Sequence, residues 1–251
     1  MITDPLFYAA ALPAVILMGL AKGGFSGLGL LSLPLLALVM PPVQAAAVML
    51  PILMVQDVVT VWAYRHAWDK LNLVRLLPGA VLGILLGYLL AARVSDHAVE
   101  LAIGVISIVF AVRRLRLDHG GKPPAAASAG RFGGWFWGLV CGFTSMIAHA
   151  GGPPFQVYVM PQRLHRDVFV GTGAVFFAIL NVVKVGPYVA LGQFSAGNLS
   201  ISAALFPAAI AATWAGVLLV RRVSAERFYT YVYALLILVG FKLLWDGISG
   251  L

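Results

Sequence analysis

Two short stretches carry most of the chemistry that this sequence offers. They are Ala148-His149-Ala150-Gly151-Gly152-Pro153-Pro154-Phe155-Gln156 and Ala21-Lys22-Gly23-Gly24-Phe25-Ser26-Gly27. Each sets glycines and polar groups into a long apolar run. Glycine lets a backbone approach a ligand closely, and a helix restarting after it offers free N–H groups and partial positive charge. Proline suits the first turn of such a helix, as at Pro153-Pro154. Lys22 adds a fixed cation, Ser26, Thr144 and Ser145 add hydroxyl donors, His149 adds a group that titrates near neutrality, and Gln156 adds an amide. Together these groups suit the holding of a small anion.

Four further polar residues sit inside apolar runs. Asn181 and Lys184 are three apart and share a helical face. They read either as donors lining a path or as a satisfied interhelical hydrogen bond. Gln56 and Asp57 occupy the matching place earlier in the chain. Asp57 reads as a proton carrier, a counter-ion to Lys22 or Lys184, or half of a structural ion pair. Lys22 binds the anion or snorkels to an interface. His149 couples protons, donates to the anion, caps freed carbonyls, or simply packs. The glycines themselves line a substrate path or permit tight helix packing.

The composition says what must position these groups. Of 251 residues 61% are hydrophobic and only 10% charged, and the mean hydropathy is +0.96. A soluble domain carries about 25% charged residues. Apolar runs of about 20 residues indicate helices that span a bilayer, without the alternating segments of a β-barrel. The net charge of +8 lies in short loops, as the positive-inside rule expects, so it implies no nucleic-acid partner. The first apolar run lacks a basic lead and reads as retained. The one cysteine, Cys141, lies in an apolar run as a packing residue. The five histidines lack metal-ligand spacing, and no hydrolase or nucleotide-binding motif is present. The expectation is a non-enzyme without cofactor.

In order, the expected spans are 6–20, a break at 22–27, 28–40, 44–64, 76–92, 98–112, then 132–148, a break at 149–154, 155–160, 168–191, 199–220 and 228–245. The basic stretch 113–131, rich in Gly, Pro, Ala and Ser, separates a first transmembrane repeat (1–112) from a second (132–251) as a cytoplasmic linker. The repeats share an ordered series of matches. Val39-Met40-Pro41 recurs as Val159-Met160-Pro161, Asp57 to Val61 with Tyr64 recurs as Asn181 to Val185 with Tyr188, and Arg93-Val94-Ser95 recurs as Arg222-Val223-Ser224. Four loops hold 13 of the 17 Lys and Arg residues. Placing all four in the cytoplasm requires each half to be a broken or re-entrant helical hairpin plus three spans. Two such halves in series are inverted, a secondary-transporter signature. The fold class is thus an all-α polytopic protein of the cell membrane with two inverted repeats. Self-association through the Gly79, Gly83 and Gly87 face would make a homodimer.

Gly19-Leu20-Ala21-Lys22-Gly23-Gly24-Phe25-Ser26-Gly27-Leu28-Gly29 resembles the opening motif of the TauE/SafE family of sulfite and organosulfonate exporters. His149 to Pro154, followed by Asn181, Lys184, Tyr188 and Gly192, resembles its second-half motif, and the likeness covers nearly the whole chain. It implies a permease for small sulfur-containing anions such as sulfite or sulfoacetate, moved outward. The first break departs from the family's usual run of three glycines, which leaves another carboxylate or oxyanion open as substrate. A reading of a different class is an intramembrane enzyme or sulfur relay using Cys141 and His149.

Overall fold

The computed structural model describes residues 5–25, 27–91, 95–118, 130–220 and 226–250, and among these all regular structure is helical. α1 (Pro5–Gly23) ends at the first break. A 3-10 turn (Leu28–Leu31) then leads into the six-residue α2 (Ser32–Ala37). α3 (Pro42–Ala63), α4 (Lys70–Ala91) and α5 (Asp96–Asp118) complete the first half. α6 (Arg131–Ala148) ends at the second break, and α7 (Gly152–Val159), α8 (Arg166–Ala190), α9 (Ala196–Leu219) and α10 (Glu226–Ser249) follow. Five of these helices are long and apolar enough to cross a membrane: those at Leu6–Gly23, Pro42–Ala63, Lys70–Leu90, Arg166–Ala190 and Ala196–Leu219.

Some boundaries differ from expectation. α4 starts at Lys70, because the Asp69 carboxylate caps it there, accepting from the Asn72 N–H (2.7 Å). α5 continues to Asp118, so the first residues of the expected linker are helical, while 119–129 lie outside the described residues. The stretch 28–40 is not one restarted helix. Gly27 takes a left-handed φ of 100°, and the turn after it is 3-10 rather than α. The first break therefore presents no regular α-helical N-terminus, whereas α7 does begin as an α-helix, with proline in its first turn.

Close contacts fix the helix directions. Gln56 Nε2 donates to the Val15 carbonyl (3.2 Å) and Tyr64 Oη to that of Gly23 (2.9 Å), so α1 and α3 run parallel. α9 runs with them: Gln44 Nε2 donates to Asn198 Oδ1 and Ser202 Oγ to the Val48 carbonyl. α3 and α8 run antiparallel, since Asp57 meets Asn181 while Gly171 lies against Tyr64 and Ala67. α6 runs with α8, through Ser145 with Lys184 and Met146 with Tyr188. α4 runs with α6, and α5 and α10 lie antiparallel to each other.

Glycines make these packings possible. A Cβ at Gly79 would lie 1.9 Å from the Trp135 carbonyl oxygen and one at Gly83 2.0 Å from that of Leu139. From the other side, Gly138 and Gly142 admit the Leu76 and Ala80 carbonyls at 2.1 and 1.9 Å. The glycine face expected to serve a homodimer is therefore occupied inside the chain, where small residues let two backbones meet. Gly19, Gly23 and Gly216 do the same between α1 and α9. Each half thus lays its third long helix on the opening helix of the other half. At one end of the bundle Asp69 bonds Thr172 and Asn72, Asn72 bonds Gln162, and Arg166 donates to the Val220 carbonyl. That end also carries Arg65, Lys70, Arg75, Arg131 and Arg163.

Candidate functional site

α1 cannot continue past Gly24, whose φ is 136°, nor α6 past His149, whose φ is 50°. Both chains turn there, and between the two turns lies a cavity of about 130 Å³. Of the residues singled out in sequence, Lys22, Gly24, Ser145, His149, Gly152, Gln156, Asn181 and Lys184 line it.

On one side, Lys22 is ion-paired with Asp57, and their side chains are 11% and 4% exposed. Asn181 Nδ2 donates to the other Asp57 oxygen at 2.5 Å. Asp57 stands behind the wall rather than in it, and its partner is Lys22, not Lys184. On the other side, Lys184 Nζ meets His149 Nδ1 (2.8 Å), Ser145 Oγ (3.1 Å) and the Ser145 carbonyl (3.2 Å). His149 Nε2 lies 2.9 Å from the Ala46 carbonyl. That carbonyl can only accept, so Nε2 carries the proton and Nδ1 accepts from Lys184. His149 also stacks on Tyr188, with ring centroids 6.2 Å apart.

Other expectations about the site are corrected. Gln56 faces α1, bonding the Val15 carbonyl, and does not reach the cavity. Thr144 turns its hydroxyl onto the carbonyls of Val140 and Cys141 in its own helix, the usual refuge of a threonine in an apolar helix. Gly23 and Gly151 serve packing: their Cβ positions would meet Gly216 at 2.5 Å and Phe177 at 2.9 Å. Ser26 lies outside the described residues. Cys141 is fully buried, and its thiol donates to the Gly151 carbonyl (3.3 Å), tying the second break to α6.

The sequence reading missed the apolar part of the wall. Phe155, Phe169 and Phe177 form it, and Lys22 Nζ sits 5.5 Å from the Phe177 ring centre. The signal was present, since Val170, Ala174, Phe177, Asn181 and Lys184 recur at helical spacing on α8. Tyr64 and Tyr188, matched in sequence, were also unassigned. Each donates to a carbonyl at the end of the opening helix of its own half, Gly23 (2.9 Å) and Met146 (3.3 Å).

The family model described as sulfite exporter TauE/SafE matches residues 11–243, a span that takes in both breaks and every polar residue of the cavity. The chain belongs to the TauE/SafE sulfite exporter family. No curated protein and no solved structure matched it. As a TauE/SafE chain it is a transmembrane transport protein, and membership implies an exporter of sulfite or a related anion.

Proposed function

We propose that this TauE/SafE chain is a secondary transporter that exports small sulfur-containing anions. The anion binds between the two helix breaks, and the two halves act as inverted repeats that expose the site alternately to either side. The observation that carries this reading is the cavity itself: it lies between the breaks and has a lysine on each side, Lys22 and Lys184. The antiparallel run of the matched helices α3 and α8 supports the inversion. The gathering of basic residues at one end supports placing that end in the cytoplasm. A cavity of about 130 Å³ suits a small anion, given that about 10–15 Å³ of such space already admits one water. The phenylalanine wall suits an anion with a short carbon chain, as in sulfoacetate.

The test is thermal stabilisation of the detergent-purified protein across sulfite, thiosulfate, sulfoacetate, taurine, sulfate and simple carboxylates. The expected result is stabilisation by one or more of the sulfur anions. A response to carboxylates alone, or to nothing in the panel, overturns the assignment.

A further inference from the structure

Lys184 stands out from the other cations of the chain. It is 0% exposed, in the middle of the bundle, and makes no ion pair among the described residues. Asp57, whose field reaches it, is already paired with Lys22 and bonded by Asn181. The groups around Lys184 are Ser145 from the end of α6, the neutral His149 from the second break, Lys22 from α1, and Cys141 and Tyr188 nearby. α2 and α9 bring no titratable side chain. A buried ammonium without a counter-ion is strongly disfavoured and gives up its proton instead.

Resting on the reading that an anion binds between the breaks, we propose that Lys184 is the proton site of the transporter. Without anion it is an uncharged amine, and it takes up a proton together with each anion, which becomes its counter-ion. The charges balance. Lys22 and Asp57 cancel, His149 is neutral, and one proton on Lys184 matches the single charge of a monoanion such as methanesulfonate, or one of the two charges on sulfoacetate.

Ser145 links the two events. A neutral amine has two N–H groups, which the Ser145 carbonyl and His149 Nδ1 accept, and one lone pair, to which the Ser145 hydroxyl donates. When the amine takes a proton from water, its third N–H displaces that hydroxyl hydrogen. The Ser145 oxygen then accepts from Lys184, and its O–H turns to the cavity that Ser145 lines, where it donates to the anion. Proton and anion thus each create the other's partner.

The experiment is titration calorimetry of the full-length protein with methanesulfonate and with sulfoacetate. Neither anion titrates near neutral pH, and each is measured in two buffers of equal pH but different ionisation heat. The expected result is uptake of about one proton per anion and an affinity that falls about tenfold per pH unit as pH rises. Lys184→Met should bind about tenfold more weakly or worse, with no dependence on buffer. Buffer-independent binding in the unaltered protein overturns the proton site and leaves the anion site standing. Uptake that survives Lys184→Met also overturns it, by placing the proton elsewhere. Absence of heat with both anions and with sulfite removes the underlying anion site, and this proposal with it.

Discussion

Asp57 and Asn181 stand at matching places in the two halves, and they bond to each other, Asn181 Nδ2 donating to Asp57 Oδ2 at 2.5 Å. At this meeting point the first half supplies a charge and the second an amide. The carboxylate leans on Lys22 of the first half, and Lys184 of the second half turns to Ser145 and His149 instead.

Removing only one partner of the Lys22–Asp57 pair leaves a charge stranded among apolar side chains. Asp57→Leu is expected to cost about 3–5 kcal/mol, and the double change with Lys22→Met to cost much less. Thermal unfolding in detergent compares them. Equal losses in the single and double variants would show that the pair does not act as a unit.

Gly83→Ala and Gly79→Ala are expected to prevent folding or to separate α4 from α6, because a carbonyl oxygen already occupies the Cβ position. Gly186 in α8 has nothing within 4 Å of its Cβ position. Gly186→Ala should therefore be neutral or stabilise by about 0.5–1 kcal/mol. Yield of monodisperse protein and melting temperature read both.

Cys141→Ala is expected to retain anion flux in proteoliposomes and to lose about 1 kcal/mol of stability, the scale of one hydrogen bond and little volume. A sulfur relay would need an accessible thiol, and Cys141 is fully buried. Maleimide should label it only after unfolding. Loss of flux at full stability would revive the relay.

Single cysteines placed at Arg65, Arg163 and Arg131 in a Cys141→Ala background are expected to react with an impermeant reagent from one side of the membrane, and a cysteine at Gln193 from the other. Labelling of Arg65 and Gln193 positions from a common side would refute the sidedness argued from the basic loops.

Helices, the two breaks and the polar pairs were legible in the sequence because charged and amide side chains are rare and costly in apolar helices, and because glycines clustered beside them interrupt the apolar runs. The family resemblance was carried by the same residues. Less legible was what each polar group touches. Thr144 and Ser145 are neighbours of the same chemistry, yet helical rotation sends one hydroxyl to its own backbone and the other to Lys184. Gln56 and Asp57 diverge for the same reason. The first break misled because its glycines suggest a fresh α-helix, while the left-handed Gly27 sets a 3-10 turn. The phenylalanine wall was harder to read, because an aromatic residue in an apolar helix carries no contrast with its neighbours and only its helical spacing from Asn181 and Lys184 marks Phe177.

The crossed packing of α4 on α6 and of α1 on α9 has a consequence for biosynthesis. As the chain leaves the ribosome, the glycine faces of α1 and α4 enter the bilayer before their partner helices exist. α4 waits for the length of α5 and the following linker until α6 arrives, and α1 waits until nearly the whole chain has been made. A nascent first half is thus an unfinished surface rather than a finished unit, and lipid or an insertion factor must shield its grooves until the second half closes them.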